Sequence, residues 1–432
     1  MIRLKPSLET LSPGCPKCRS ALAGEGFLIT GMRNLADLRC SQCGGEFYGD
    51  LPSGQALFTP ILLDKESGAV FDKYNAPWFS GWLADAYRER SREPLGFETR
   101  KFSPIKNKVI VLNCLDALYG HSLLKLLNAQ HYLDHRPDFS LLVIVPPFLE
   151  WLLPEGIAEA WIVDLPLRRG TVWNDWLAGE IAERLEAFTE VFLSVAFSHP
   201  HPEDFDIERF TRVKPFALEN FAASADHPVI TFSWREDRLW ESKNSLKAAD
   251  FAKLKRLFGS IENRLVEQTR KIVQFAEALR KEFPALDFAV AGLGKTGGFP
   301  AFIKDLRLTE LNAAAERRWC ARYAASHAVV GVHGSNMLLP SAHAGSVVEL
   351  LGEDRQGNFL QDILLRGAGD AREMLFRYRF APPSTAPEDL AQIISNLLRY
   401  EDFRRLMSPE FCRHRESYDL ENWLMKKRGP TK

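Results

Sequence analysis

The stretch of sequence that decides the fold is AVVGVHGSNMLLPSAHAGSVVELL, residues 328–351. Its first five residues form a continuous apolar run, which is typical of a strand buried inside a parallel sheet. The run stops at HGSN, residues 333–336, where small and polar residues let backbone amides face an anion. A short helix over 336–344 and a second buried strand over 346–351 are predicted to follow. The stretch therefore predicts a strand, turn, helix and strand that form a site for a phosphate-bearing ligand.

Apolar strands alternate with helices in two further groups around this stretch. The first group has predicted strands at 108–113, 140–145, 159–164 and 190–196 and predicted helices at 120–135 and 174–188. The second has predicted strands at 228–234 and 288–292 and predicted helices at 265–283 and 310–326. Residues 51–105, rich in proline and aromatic residues, are predicted to be a connector with one short helix at 79–93. Strands that alternate with helices predict parallel, doubly wound sheets.

Composition limits the number of domains and the classes of partner. At 432 residues, the chain is longer than one ordinary core, and about 150 residues per domain predicts two or three domains. A formal net charge of -1 gives no electrostatic argument for nucleic acid or an acidic membrane as a partner. The first residues lack the apolar core of a signal peptide, and no run of roughly 18 apolar residues occurs. We therefore expect a cytoplasmic protein without a transmembrane segment.

Four of the seven cysteines form two CxxC pairs near the start of the chain. The pairs are Cys15 with Cys18 and Cys40 with Cys43. Two residues between paired cysteines let both sulfurs reach one tetrahedral ion, and the spacing between the pairs is typical of a zinc ribbon. Four sulfurs leave no open coordination position, so the zinc is expected to be structural. The alternatives are two disulfides or a redox pair.

Two motifs resemble segments of the family 61 glycosyltransferases. The HGSN turn, with its following helix and glutamate-bearing strand, resembles the donor-site signature of that family. Tyr119, Gly120 and His121 are similar to the tyrosine-glycine-histidine-tryptophan segment near the start of its catalytic domains. Here Ser122 replaces the tryptophan, and Lys125 stands where an aspartate often follows. The resemblance implies a GT-B fold, an α/β architecture in which two Rossmann-like domains face a cleft.

The resemblance and the cysteine spacing together divide the chain into four predicted parts. Residues 1–55 form the zinc ribbon, and residues 56–225 form an N-terminal Rossmann-like domain that binds the acceptor. Residues 226–385 form a C-terminal Rossmann-like domain that binds the nucleotide-sugar donor. Residues 386–432 form terminal helices that pack back across the domains.

The candidate donor-site residues follow the predicted strands of the second domain. Transfer from a sugar nucleotide leaves negative charge on a diphosphate, which cations or backbone amides must meet. A guanidinium group binds two phosphate oxygens at once, which suits Arg235 and Arg238 to a diphosphate. The alternative is that these two arginines form ion pairs with Glu236 and Asp237. Glu349 either accepts hydrogen bonds from ribose hydroxyls, as the resemblance implies, or satisfies backbone donors in the core. The candidates are Arg235, Arg238, Lys295 in a flexible glycine-rich loop, His333, Gly334, Ser335, Asn336 and Glu349.

His121 and Asp116 are the candidates for the general base. An imidazole has an ordinary pKa of about 6.5, which suits proton abstraction near neutral pH. An aspartate would need a pocket that raises its pKa, so His121 is preferred. The alternative for His121 is a helix-capping role, and His333 has a structural role as its alternative. His199 and His201 resemble half of a metal site, but no cysteine or further histidine lies nearby at ligand spacing, so a loop is predicted there.

These predictions combine into one hypothesis with two alternatives. The hypothesis is an inverting glycosyltransferase, metal-independent in catalysis, that moves a sugar from a nucleotide-sugar donor to a glycan or other hydroxyl acceptor. Bacterial surface polysaccharide synthesis is the expected setting, and the zinc ribbon offers a surface for a protein partner. One alternative is a catalytically inactive protein that binds a nucleotide or nucleotide sugar. The other is a different transferase on the same scaffold, such as a fucosyl- or pyruvyltransferase.

Overall fold

The structure is a computed structural model that describes residues 1–9, 14–222, 224–241, 261–367 and 369–399. Its strands are β1 (Ile2–Lys5), β2 (Leu22–Ile29), β3 (Asn34–Cys40), β4 (Glu46–Asp50), β5 (Leu62–Asp64), β6 (Val70–Phe71), β7 (Phe97–Lys101), β8 (Lys108–Asn113), β9 (Ser140–Val145), β10 (Glu159–Val163), β11 (Glu190–Leu193), β12 (Val229–Trp234), β13 (Asp287–Gly292), β14 (Ile303–Asp305), β15 (Ala328–Val332), β16 (Val347–Leu350) and β17 (Tyr378–Ala381). Its α-helices are α1 (Pro77–Arg88), α2 (Tyr119–Leu127), α3 (Ala129–His135), α4 (Asp175–Leu185), α5 (Ile207–Thr211), α6 (Ile261–Glu282), α7 (Ala313–Ala325), α8 (Leu338–His343), α9 (Ala371–Met374) and α10 (Pro387–Leu398). No helix among these is both long enough and apolar enough to cross a membrane.

The second sheet contains six strands that all pair in parallel, in the order β14-β13-β12-β15-β16-β17. Counted along the chain, this order is 3-2-1-4-5-6, the strand order of dinucleotide-binding Rossmann folds. The order reverses between β12 and β15, and open α/β sheets bind ligands beyond the carboxyl ends of the strands at such a point. The second sheet therefore has a ligand crevice where β12 and β15 end.

The first sheet has the order β1-β11-β8-β9-β10-β7. Its four central strands are parallel, and the edge strands β1 and β7 are antiparallel to their neighbours. The order reverses between β8 and β11, which places a second crevice at the carboxyl ends of those strands. Both sheets thus present a crevice built in the same way.

The ribbon sheet is five-stranded and antiparallel, and it runs from β2 to β6 in sequence order. It ends at Phe71, beyond residue 55, and β1 pairs with β11 of the first sheet instead. Residues 51–105 are therefore not only a connector, because β5, β6 and the edge strand β7 lie within them. These strands are short or exposed at an edge, so they lack the apolar run that a sequence pattern detects. The domain boundaries remain a prediction.

The two Rossmann-like halves pack against each other beside the turn that follows β15. A Cβ atom added to Gly120 would lie 2.9 Å from the Cβ atom of Ser335, so the start of α2 touches this turn. Leu338 and Leu339 of α8 belong to the hydrophobic core that also contains the strands of the first sheet. At the end of the described chain, α10 packs on α6 of the second half. Residues 400–432, which belong to the predicted terminal helices, lie outside the described residues.

The fold class predicted from the sequence is confirmed. Two Rossmann-like α/β units face a cleft in the GT-B manner, and a small sheet with a four-cysteine cluster precedes them.

Candidate functional site

A cavity of about 580 Å³ opens between the two halves at the crevice of the second sheet. Ser233 and Arg235 line it from the end of β12, and Ser335 and Asn336 line it from the turn after β15. Tyr119 reaches it from the first half. The cavity is therefore bounded by both halves and lies where a doubly wound sheet binds its ligand.

Arg235 crosses the crevice and joins its two sides. Its Nη1 donates to Asn336 Oδ1 at 2.6 Å, and its Nε donates to Asp237 Oδ1 at 2.6 Å. Asn336 Nδ2 donates in turn to Ser233 Oγ at 3.1 Å. The ion pair between Arg235 and Asp237, which was the alternative to a phosphate contact, is thus present. Arg235 nevertheless also lines the cavity.

Gly334 lets two guanidinium groups approach the turn after β15. Its φ is +148°, and a Cβ atom there would overlap Nη1 of both Arg235 and Arg238. Arg238 Nη1 donates to the His333 carbonyl oxygen at 3.0 Å. Burial, together with the positive charges of Arg235 and Arg355, lowers the pKa of Arg238 to about 10. Two guanidinium groups that repel each other beside a glycine turn can be stabilised by a bound anion.

His333 is hydrogen-bonded to a buried carboxylate and is not among the described residues that line the cavity. Its Nδ1 lies 2.6 Å from Glu349 Oε2, and the Tyr378 hydroxyl donates to Glu349 Oε1. Burial raises the pKa of Glu349, while the hydrogen bond from His333 acts against that rise. Among the described residues, His333 Nε2 has no hydrogen-bond partner, and it lies 3.4 Å from Asp362 Oδ2. Glu349 therefore orients His333, and Asp362 is a neighbour that the sequence motifs did not indicate.

The glycine-rich loop that carries Lys295 is held firmly. Arg307 Nη1 donates to the Thr296 carbonyl at 2.7 Å, and Glu236 Oε1 accepts from the Thr296 amide at 3.0 Å. Side chains from two directions therefore contact the loop that was predicted to be flexible. Lys295 is exposed, acts electrostatically on Asp305, and is not among the described residues that line the cavity.

Asp116 and His121 lie together at the crevice of the first sheet. His121 Nδ1 is 3.5 Å from Asp116 Oδ1, and Lys125 Nζ is 2.7 Å from Asp116 Oδ2. Burial alone would raise the pKa of Asp116, but Lys125 and His121 hold it well below its usual range. A carboxylate with a lowered pKa is a weak base, so this geometry favours His121 as the base and Asp116 as its orienting partner.

His199, predicted to lie in a loop, does lie in a loop and faces His121. It follows β11, and its ring centroid is 6.4 Å from that of His121, which follows β8. Burial and the neighbouring His121 lower the pKa of His199, whereas Asp362 raises it. Asp362 of the second half therefore acts on both His199 and His333, which places the two crevices next to each other.

Glu316 of α7 connects the two halves, and no sequence motif indicated it. Its Oε2 accepts from the Tyr119 hydroxyl at 3.3 Å and from Trp151 Nε1 at 3.2 Å. The side chain also lines the cavity, and its Oε1 is buried without a hydrogen-bond partner. Burial raises the pKa of Glu316 from its ordinary 4.5 to about 8. A pKa in that range favours the protonated, neutral form of Glu316 near pH 7.

Replacing Glu316 with glutamine is expected to flatten the pH dependence of stability. A raised pKa in the folded protein means that stability is fully present below the unfolded value and is lost as pH rises toward about 8. One pKa unit corresponds to about 1.4 kcal/mol. The free energy of unfolding of the wild type should therefore fall by roughly 3 kcal/mol between acid pH and pH 7, whereas that of the variant should not. Denaturant unfolding at about pH 5 and about pH 8 measures the difference.

The exposed Glu310 provides the matched control for this experiment. Glu310→Gln should retain the wild-type pH dependence. Equal pH slopes for wild type and Glu316→Gln would show that Glu316 is ionised in the folded protein.

The four-cysteine cluster has the dimensions of a metal site. All four sulfurs lie within 4.8 Å of one another, with Cys15 and Cys43 at 3.6 Å and Cys18 and Cys40 at 3.5 Å. Tetrahedral zinc with Zn–S bonds of about 2.3 Å separates its sulfurs by about 3.8 Å. All four are free cysteines, which excludes the two-disulfide alternative for this structure. The donor set therefore fits one closed tetrahedral ion.

Comparison with known proteins identifies no family. No protein-family model matches the chain, and no curated protein matches it. Among solved structures, the E. coli ADP-heptose LPS heptosyltransferase II is similar at 12% sequence identity and a TM-score of 0.35, with 68% of this chain and 99% of that chain covered. A likeness at that level carries no argument about activity, and the resemblance to family 61 remains a prediction.

Proposed function

We propose that this protein is a glycosyltransferase that moves a sugar from a nucleotide-sugar donor to a hydroxyl acceptor. The observation that carries the proposal is the placement of Arg235 and Arg238 around Gly334 at the crevice of the second sheet. Two guanidinium groups and the polar end of a Rossmann crevice suit a diphosphate. The donor is thus assigned to the second half of the chain.

The acceptor is assigned to the first half, beside His121. Asp116 occupies the Nδ1 side of the imidazole, so Nε2 is left for the acceptor. The acceptor oxygen attacks C1 of the donor sugar, and its proton passes to His121 Nε2. The bond from C1 to the diphosphate breaks with its electron pair on the phosphate oxygen, where the arginines stabilise the charge. Attack opposite the leaving group inverts the configuration at C1, and these residues perform each step without a catalytic metal.

The four cysteines would hold a structural zinc ion, which would tie the loops at residues 15–18 and 40–43 together. Zinc with four thiolate ligands supplies folding energy and no open coordination position. The ribbon sheet would then offer a surface to a partner protein or acceptor. Synthesis of a bacterial surface glycan in the cytoplasm is the setting we propose for this activity.

Donor binding is expected to raise the melting temperature of the purified protein. A ligand that binds only the folded state at 100 times its Kd stabilises it by about 2.7 kcal/mol. The experiment compares nucleoside diphosphates and sugar nucleotides on wild type, Arg235→Ala and the control Arg270→Ala, whose guanidinium pairs with Glu267 on the exposed face of α6. One nucleotide family should stabilise wild type and the control but not Arg235→Ala.

Three other outcomes would overturn parts of this proposal. No shift with any nucleotide would remove the donor assignment. A shift accompanied by neither transfer nor donor hydrolysis would identify a nucleotide-binding protein without turnover. Transfer of a group other than a glycosyl unit would identify a different transferase on the same scaffold.

A further inference from the structure

Lys125 is a buried lysine in the core of the first half. Its side chain is 4% exposed, and the helix positions on either side of it are buried leucines. Burying an ammonium group is costly unless it is paired and hydrogen-bonded. Lys125 Nζ contacts Asp116 Oδ2 at 2.7 Å and donates to the Leu115 carbonyl at 3.0 Å. The position of Lys125 is therefore defined by the loop that carries Asp116.

The segment between β4 and β5 of the ribbon sheet lies against Lys125. Gly54 has φ +61°, and a Cβ atom there would lie 2.9 Å from Lys125 Cε and 3.4 Å from Nζ. The Gly54 amide donates to the Val195 carbonyl at 2.8 Å, which anchors this segment to the loop after β11. A larger residue at position 54 would push Lys125 away from its place. Gly54, on the ribbon side of the molecule between β4 and β5, thus forms one wall of the Lys125 site.

We propose that Lys125 is a positioning residue for His121, and that Gly54 on the ribbon side holds Lys125 against Asp116. The chain of contacts runs from Lys125 to Asp116 at 2.7 Å and from Asp116 to His121 at 3.5 Å. Lys125 keeps Asp116 ionised and fixed, and Asp116 then orients the imidazole. The role in catalysis rests on the proposed function, whereas the effect of Lys125 on the His121 ring does not.

Without Lys125, the negative charge of Asp116 would be balanced by His121 alone. The protonated form of His121 would then gain stability relative to the neutral form, and less neutral base would be present near pH 7. Other titratable groups around this site act on the same equilibrium and are retained in the variants. They are Cys114 beside Lys125, His199 facing His121, and Asp362 acting on His199.

The test replaces Lys125 with methionine, which keeps the length of the side chain and removes its charge. NMR of protein labelled at the histidine nitrogens follows the His121 ring as pH is varied. We expect the midpoint of its titration to move to higher pH in Lys125→Met. The control Lys108→Met removes an exposed lysine that pairs with Glu190, and it should leave the midpoint unchanged. An unchanged midpoint in Lys125→Met would overturn the proposal.

A second variant covers the case in which Lys125→Met does not fold. Lys125→Met with Asp116→Asn removes both buried charges at nearly constant volume, so no uncompensated charge remains. Because the carboxylate is absent, the His121 midpoint should not rise in this double variant. A rise of the midpoint in this double variant would show that Asp116 does not transmit the effect and would overturn the proposal. Gly54→Ala should shift the midpoint in the same direction as Lys125→Met, and no shift would remove the ribbon side from the proposal.

Activity provides an independent readout if a donor is found. Lys125→Met should lower kcat near pH 7 by about 10- to 100-fold, part of which returns at higher pH, with KM for the donor unchanged. A loss of kcat that is equal at every pH would indicate a structural defect and overturn the positioning role. If no glycosyl transfer is detected at all, the proposed function fails, and the NMR titration still decides the role of Lys125.

Discussion

Replacing His121 with alanine is expected to lower kcat for glycosyl transfer by about 10²- to 10⁴-fold. The variant lacks the nitrogen that would accept the proton of the acceptor, while Arg235 and the turn after β15 are untouched. Donor binding, measured by calorimetry or by the rise in melting temperature, should therefore stay at the wild-type value. Initial-rate measurements with donor in excess give the change in kcat.

The control for this experiment is His131→Ala. His131 is on α3, is partly exposed, stacks on His135 and is not among the described residues that line the cavity. It should retain wild-type kcat. If His121→Ala loses less than tenfold in kcat, another group takes the proton, and His199 is the next histidine to be replaced because it faces the same crevice.

Replacing Cys40 with serine is expected to remove the metal ion and to destabilise more than the ribbon sheet. Cys40 and Cys15 are buried in the same hydrophobic core as Val109 and Val111 of β8. Loss of a structural zinc ion removes folding free energy, and we expect a decrease of roughly 5 kcal/mol or more in the free energy of unfolding. Metal content per chain by mass spectrometry and denaturant unfolding measure the two effects.

Ser41→Ala serves as the control, because Ser41 is exposed between the two cysteines of the second pair. It should bind one zinc ion per chain and unfold as the wild type does. Full stability of Cys40→Ser, or of metal-free wild type prepared with a chelator, would show that the cluster needs no metal.

The buried strands were predictable from the sequence because each is a short apolar run that ends at a polar residue, a glycine or a proline. β8, β9, β12 and β15 all have this form, and the structure places them at the centres of the two sheets. β7 and β14 were missed for the opposite reason. Both lie at sheet edges and carry mainly polar or charged residues, so their pairing depends on a neighbour and not on their own pattern.

The candidate donor turn was also predictable, because its residues are adjacent in sequence. Small residues after a buried strand indicate a ligand crevice without any knowledge of the rest of the chain. Arg235 directly follows β12, just as the turn follows β15. Its position at the crevice was therefore predictable once β12 was taken to be a central strand. The sequence left open whether Glu349 faces ribose or the core, and the structure pairs it with His333 and Tyr378.

The sequence by itself determined the two α/β units, the four-cysteine spacing and the local motifs at the ends of the strands, since each depends on neighbours within a few residues. Only the tertiary structure decided which of those motifs meet. The Tyr119–Glu316 hydrogen bond joins residues 197 positions apart, and Gly54 reaches Lys125 from the ribbon side. Contacts of that kind depend on how complete sheets pack, and the charge of a buried group follows from them, because burial and the nearest ion set its pKa together.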